Sequence, residues 1–182
     1  MNDKEVILDL LSNFSDRVHW VMDGMSLDTL RWQPDSEANN ITVTMWHISR
    51  SYDLFKVRLM ENRTVEEELW FTNGWAAKTG YDPRGKGWSE FGNLAGYTRE
   101  EVEEVPILPV DELLQYFDEA IEAFRRYLDA MPSDALYKDA PGWPAEPQTI
   151  YVCIRNSLMD SIGHLGEIMA IIALKERTIG AA

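Results

Sequence analysis

Apolar residues recur at helical spacing in four separate segments of the chain. These segments predict helices over about residues 7–24, 42–60, 110–130 and 149–177. None of them shows the alternating pattern of a strand, so the sequence predicts an all-α fold, a four-helix bundle. A length of 182 residues is typical of one domain, and we expect a single domain over residues 1–182.

Each predicted helix has an apolar face that we expect to lie in the core. The face of the second helix consists of Met45, Ile48, Tyr52, Phe55 and Leu59. The face of the fourth helix consists of Ile154, Leu158, Ile162, Leu165, Met169 and Ile172. His47 lies on one flank of the second helix's face. Trp20 lies on the polar side of the first helix, where an indole indicates a loop or subunit contact.

Residues 61–109 form a long connection between the second and third predicted helices. The connection is rich in glycine, which argues against one continuous helix, and in aromatic residues, which argue against disorder. We expect an ordered excursion with short helical turns that packs over the bundle. Thr98 and Glu101 have the spacing of a capping box at one such turn. Two interpretations are open for the tryptophans of the excursion, which are Trp70, Trp75 and Trp88. They line an apolar substrate pocket, or they form the packing core of the excursion.

The charge of the chain disfavours nucleic acid as a partner. Asp and Glu number 31 against 17 Lys and Arg, a formal net charge of -14, and such a surface repels polyphosphate.

The single cysteine, Cys153, excludes an internal disulfide. The N-terminus lacks the pattern of a secretory signal, and the longest strongly apolar run, Ile168 to Leu174, is far shorter than the roughly 18 residues of a membrane span. We therefore expect a cytoplasmic protein with no membrane partner.

Asp160 and His164 are the most informative pair of polar residues. Because they are four residues apart on a helix, they share one face and can bind one divalent ion. His47 on the second helix is the available third ligand. Two histidines and one carboxylate leave coordination positions open, as in catalytic sites. The alternative is an ordinary hydrogen bond or ion pair within the helix; a solvent-facing His47 with Asp160 paired to Arg155 or Lys175 would contradict the metal hypothesis.

The remaining histidine and the cysteine are not expected to bind this ion. His19 lies on a different flank of the first helix without a partner motif, and we interpret it as structural or solvated. Cys153 precedes Asp160 by two turns, about 10 Å along the helix, which is too far for it to share an ion with His164. A lone cysteine in a helix is most often a small apolar residue.

Four stretches of the sequence resemble the DinB/YfiT-like superfamily, and together they are spread over residues 5–175. The stretches are residues 24–34, residues 41–48 with His47, residues 96–102 (Gly-Tyr-Thr-Arg-Glu-Glu-Val) and residues 160–168 (Asp-Ser-Ile-Gly-His-Leu-Gly-Glu-Ile). The last stretch is similar to the family's His-x-x-x-His-x-Gly motif, with Asp160 in place of its first histidine. The order and spacing of the four stretches carry the resemblance.

The resemblance implies a four-helix bundle with a long crossover, frequently dimeric, in which His47 and His164 bind a metal ion. Many relatives have histidine at the position of Asp160, whereas some, including the mycothiol-dependent maleylpyruvate isomerases, have a carboxylate. An oxygen ligand adds nickel, iron and manganese to zinc as suitable ions. The resemblance also suggests two chemistries, namely transfer or isomerisation with a low-molecular-weight thiol and hydrolysis of a small substrate.

The leading hypothesis is a divalent-metal-dependent enzyme that acts on a small molecule, and we expect it to be a homodimer. The ion would lower the pKa of a bound water or thiol so that it attacks at neutral pH. The alternative is a non-catalytic dimeric bundle, associated with stress or ligand binding, that uses no metal. Asp160 in place of histidine keeps this alternative open. DNA handling is suggested only by the family's damage-induction name, and the net charge argues against it.

Overall fold

The computed structural model describes residues 2–143 and 146–180, and most of them are helical. The α-helices are α1 (Asp3–Met22), α2 (Leu27–Arg31), α3 (Ile41–Leu54), α4 (Leu69–Thr72), α5 (Trp75–Thr79), α6 (Arg99–Glu103), α7 (Val110–Ala130) and α8 (Ile150–Gly180). Within the described residues no strand forms, and Asp139 and Thr149 make only an isolated antiparallel bridge. The predicted all-α fold is therefore confirmed.

The four long helices pack against one another around one apolar core. Helix α3 contacts α7 and α8, and α1 contacts the same two helices on its side of the core. Every residue of α3 is buried, not only its predicted apolar face. The reason is that the crossover covers the side of α3 that the bundle leaves open; Trp46 of α3, for example, packs edge-on against Trp70 and Tyr81 of the crossover.

The second predicted helix changes its geometry near its end. After Leu54 the α-helix continues as a π-helical segment, Phe55–Met60. π-Helical segments are rare in proteins, and many of those that occur lie at functional sites. Here Phe55, the first residue of the π-helical segment, lies in the wall of the cavity described below.

The prediction for the buried face of α8 was partly wrong. Ile162 and Met169 were expected in the core, but they are 48% and 43% exposed. Ser157 and Ser161 are buried instead. The physical reason is that apolar residues occupy more than one face of α8, so the period of hydrophobicity does not determine which face packs inward.

Helix α8 is also long and apolar enough, by length and composition alone, to cross a membrane. The segment Ile150–Thr178 has a mean hydropathy of 1.3 over its best window, of which 33% is buried within the described structure. A core helix of a bundle passes the same test, and α8 packs against α1 and α3. We interpret it as a bundle helix with much apolar surface on its outer side.

The crossover contains the short helical turns that its sequence predicts. Trp70 and Trp75 are buried, stack on each other and contact Tyr116 of α7, so these two tryptophans form packing core. Thr98 and Glu101 form the expected capping box at α6. The first alternative, a pocket lining, applies to Trp88, which lies at the mouth of a cavity.

A buried ionic cluster fastens the crossover to α3. The guanidinium of Arg50 is buried, and it pairs with Glu68 and, at 3.5 Å, with Asp53. Its Nε donates to the carbonyl of Gly92 at 3.1 Å. Arg50 therefore holds two distant parts of the crossover, at Glu68 and at Gly92, against the same helix.

Asp53 joins the same cluster to α4 and α7. Its carboxylate accepts hydrogen bonds from the backbone N–H groups of Leu69 and Trp70 at 2.8 and 2.9 Å. The hydroxyl of Tyr116 donates to it at 3.0 Å. Three neutral donors and Arg50 thus satisfy a carboxylate that has no access to water.

Glu68 gives folding stability a dependence on pH. Burial raises its pKa from 4.5 to about 7, and its Oε1 atom has no hydrogen-bond partner among the described residues. Between these two pKa values the folded chain binds a proton that the unfolded chain does not. The contribution of Glu68 is therefore fully present below pH 4.5 and is lost as the pH rises through about 7.

We expect the Glu68→Gln protein to lack this contribution. The difference in unfolding free energy, wild type minus variant, should fall by about 1 kcal/mol per pH unit between pH 5 and pH 7. Urea unfolding of both proteins at pH 5, 6 and 7, followed by circular dichroism, measures it. Titrating groups that do not interact with Glu68 cancel in the difference, so a difference that does not change with pH would show that Glu68 has an ordinary pKa.

Candidate metal centre

His47 is held in one tautomer by the crossover. It lies in the first half of α3, which begins after Asn40, whose side chain accepts a hydrogen bond from the N–H of Val43 at 3.0 Å. The imidazole is buried, and its Nδ1 is hydrogen-bonded to the backbone carbonyl of Asn93. A carbonyl only accepts, so Nδ1 carries the proton and Nε2 of the neutral ring keeps its lone pair.

His164 is oriented in the same way by a carboxylate. It lies one turn after Asp160 on α8, and its Nδ1 is 2.9 Å from Oε2 of Glu167. Nδ1 therefore donates to Glu167, and Nε2 is again the atom with the free lone pair. Histidines that bind metal ions in proteins almost always have such a partner on the second nitrogen.

The two free nitrogens converge on the carboxylate of Asp160. His47 Nε2 is 3.4 Å from Asp160 Oδ2, and His164 Nε2 is 3.6 Å from Oδ1. One ligand atom from each of the three residues lies within 4.8 Å of the others. Two ligands bound tetrahedrally to one ion at about 2.1 Å are about 3.4 Å apart, so the observed separations fit a single divalent ion.

The electrostatics of the group favour an ionised Asp160. The hydrogen bond from His47 lowers the pKa of Asp160, and the nearby His164 adds to this shift. The hydrogen bond to Glu167 raises the pKa of His164. In the neutral form of each ring the lone pair is on Nε2, because Nδ1 is engaged, and it therefore lies beside the ionised Asp160.

The ion pairs that would contradict the metal hypothesis do not form. Lys175 pairs with Asp28 at the start of α2, and Arg155 donates to Asn156 at 3.0 Å. His47 points away from solvent and toward Asp160. An ordinary Asp–His pair within one helix does not account for this arrangement, because a buried residue of a second helix is part of it.

The two residues placed outside this site are accounted for elsewhere. His19 Nε2 is 2.8 Å from Asp118 of α7, in an exposed pair between helices. Cys153 is buried in the core, and burial raises the pKa of its thiol, which makes it unreactive. Both agree with the structural roles expected for them.

A cavity of about 560 Å³ opens above the three residues. Its aromatic walls come from the π-helical segment, from residues 88–91 of the crossover and from the loop before α8; the side chains are Phe55, Trp88, Phe91 and Trp143. His47, Asp160 and His164 lie in its wall. A volume of this size is typical of sites for small molecules.

Two contributions to the centre were not predicted from the sequence. Glu167 is three residues after His164, and this spacing could have identified it as the hydrogen-bond partner of that histidine. The Asn93 carbonyl is a backbone atom of an irregular loop 46 residues from His47. No side-chain pattern indicates it.

Comparison with known proteins identifies the family. The sequence model of the DinB superfamily matches residues 10–168, which is most of the chain. The chain belongs to the DinB superfamily. The resemblance carried by the four sequence stretches is thereby confirmed, and the matched range includes His47, Asp160 and His164.

This DinB-superfamily chain also has a structural neighbour over nearly its whole length. The neighbour is the crystal structure of a protein from Enterococcus faecalis that is described only as conserved. It has a TM-score of 0.76 and 19% sequence identity to this chain. The match covers 96% of this chain and 97% of the other. At this identity the likeness shows the fold alone. No curated protein shows a significant match to the sequence.

Proposed function

We propose that this DinB-superfamily protein is a divalent-metal-dependent enzyme that acts on a small molecule. In this proposal His47, Asp160 and His164 hold one ion. The supporting observation is that two imidazoles, each held through Nδ1, turn their Nε2 atoms toward one carboxylate in the wall of a cavity. This arrangement supports the proposal because histidines that bind metal ions almost always have a partner on the second ring nitrogen, as both have here.

The ligand set determines which ions are suitable. Two imidazoles and a carboxylate suit zinc, nickel, iron or manganese, and three protein ligands leave open positions. When bound, such an ion supplies Lewis acidity, which lowers the pKa of a water or a thiol beside it. The proposed reactions are therefore transfer or isomerisation with a low-molecular-weight thiol, or hydrolysis.

The chain's own residues prepare this chemistry. Asn93 and Glu167 fix the imidazole rings before any ligand arrives, which reduces the ordering needed on binding. Asp160 contributes negative charge at the centre of the group. The aromatic walls of the cavity place apolar surface beside the group of three residues.

The test is the metal content of the purified, tag-free protein, measured by elemental mass spectrometry. We expect close to one ion per chain in the wild type and in His19→Ala, and none in His164→Ala. His19→Ala is the matched control because His19 is paired with Asp118, away from the site. If the wild type holds no ion even after addition of zinc, nickel and manganese, the proposal is wrong and the non-catalytic bundle is favoured.

We also propose that the protein is a homodimer that pairs through α1 and α8. Apolar side chains lie exposed along these adjacent helices, among them Leu10, Met159, Ile162 and Met169. Two apolar grooves, of about 330 and 400 Å³, run between the helices. Trp20, near the end of α1, is 68% exposed, so no described loop covers it, and of the two expected contacts the subunit contact is the one we propose.

Sedimentation equilibrium at micromolar concentration tests this assembly. We expect the mass of two chains for the wild type and of one chain for Ile162→Glu, because the variant places a charge in the apolar face of α8. Ile107→Glu, which alters an exposed isoleucine outside α1 and α8, is the control and should remain dimeric. A single-chain mass for the wild type would contradict the proposal.

A further inference from the structure

The cavity above the candidate metal centre has an unusual charge pattern. Among the described residues, its charged or titratable lining consists of His47, Asp160 and His164, and the other described lining residues are aromatic, apolar or neutral polar. Among the described lining residues there is no lysine or arginine. A site built for a phosphate or a carboxylate normally presents such a cation.

One wall of the cavity is formed by backbone held in uncommon conformations. Ser89, Glu90 and Leu94 have positive φ angles of 51°, 55° and 80°. Non-glycine residues rarely adopt such angles, and they persist only where the surroundings impose them. The segment is fixed by a hydrogen bond from the N–H of Trp88 to the carbonyl of Ala95 at 2.8 Å.

The nearby cation of Arg58 supports this wall and does not line the cavity. Its Nη1 donates to the carbonyl of Glu90 at 3.0 Å, and its guanidinium lies 5.4 Å from the ring centre of Phe91. These contacts orient the Phe91 ring in the wall. The guanidinium is thus engaged with the outer side of the segment.

The opposite wall is aromatic as well. Trp143 meets Phe55 edge-on, with ring centres 6.4 Å apart. Trp88 stands at the mouth, where its indole covers Gly96; a Cβ at Gly96 would lie 2.1 Å from the indole ring. The aromatic rings therefore occupy positions set by their neighbours and do not form a collapsed core.

We propose that this cavity selects an uncharged aromatic or apolar molecule and rejects molecules with an anionic group on that part. The inference rests on the proposed function, because the reacting end of the molecule would face the metal centre. An anionic tail would lose its hydration in the cavity without gaining a counter-ion. The net charge of -14 adds a repulsive field for anions.

Two probes that differ only in this charge test the proposal. Benzohydroxamic acid and 4-carboxybenzohydroxamic acid share the same metal-binding end and ring. Each is titrated calorimetrically into the protein, once loaded with Zn²⁺ and once after treatment with EDTA. We expect the carboxylate probe to bind at least about tenfold more weakly in both forms, since its charge has no partner in the cavity.

A substitution in the wall locates the binding. Trp143→Ala should weaken binding of benzohydroxamic acid by about tenfold, because the ring of the probe loses an aromatic partner in the cavity wall. The matched control is Trp20→Ala, an exposed tryptophan on α1, which should bind as the wild type does. Equal affinities for the two probes, or an unchanged affinity in Trp143→Ala, would overturn the proposal.

The two proposals fail in distinguishable ways. If the wild type takes up no Zn²⁺, the metal-dependent function fails, while the titration of the EDTA-treated protein still decides whether the cavity selects against charge. If Zn²⁺ binds with one ion per chain but the two probes bind equally, the selectivity fails and the metal centre stands.

Discussion

The Asp160→Asn protein should bind Zn²⁺ about 100-fold more weakly than the wild type, or weaker still. Removing even a residue that only supports a metal ligand costs 10- to 100-fold in affinity in other proteins, so loss of an anionic ligand should reach about the upper end of that range. Asparagine keeps the shape of the side chain and removes its charge. Competition with a chromophoric chelator measures the affinity.

The folded structure itself should tolerate this change. The Asp160 side chain is 56% exposed, and its ion-pair partners among the described residues are the two histidines of the site. Substitutions at such surface positions change the unfolding free energy by less than about 0.5 kcal/mol. An unchanged urea midpoint therefore separates a lost ligand from a lost fold. Wild-type affinity in Asp160→Asn would show that the carboxylate does not bind the ion.

Asp160→His provides the complementary variant. A third imidazole replaces one anionic oxygen ligand with a neutral nitrogen ligand. Because nitrogen ligands suit zinc and nickel whereas carboxylates suit manganese, we expect this variant to retain Zn²⁺ and to lose affinity for Mn²⁺. The pair of variants thus distinguishes the need for any third ligand from the need for a carboxylate.

The sequence predicted which side chains converge at the candidate metal centre because two of them follow helical spacing. Asp160 and His164 are one turn apart, and only three histidines occur in the chain, which left His47 as the available partner on another helix. The structure brings these residues together across the contact between α3 and α8. Long amphipathic helices are also the elements that periodicity predicts best, and all four are present.

The support of the site could not be predicted in the same way. The carbonyl of Asn93 reaches His47 only because the loop around it folds back on α3. That path is set by positive φ angles and by the buried side chain of Arg50, which are tertiary features without a local sequence period. The orientation of α8 was ambiguous for a related reason, since apolar residues surround most of the helix.

Replacing Arg50 should have the largest effect on folding. We expect Arg50→Leu to lower the unfolding free energy by about 3–5 kcal/mol, because it leaves the buried Asp53 and Glu68 without their cation. Urea unfolding at pH 7 measures this loss. The control is Arg126→Leu, which removes an exposed pair with Glu122 and should change stability by less than about 1 kcal/mol.

The same substitution should also weaken the metal site at a distance. Arg50 Nε holds the carbonyl of Gly92, and the next carbonyl, that of Asn93, fixes the tautomer of His47. Where enough Arg50→Leu remains folded, we therefore expect its Zn²⁺ affinity to fall by about 10-fold or more.

The double variant Arg50→Leu, Glu68→Leu should recover part of the stability, because one buried carboxylate is removed with the cation. It should not recover the Zn²⁺ affinity, because neither leucine can hold the Gly92 carbonyl. Wild-type Zn²⁺ affinity in folded Arg50→Leu, or recovery of that affinity in the double variant, would show that Arg50 does not position His47.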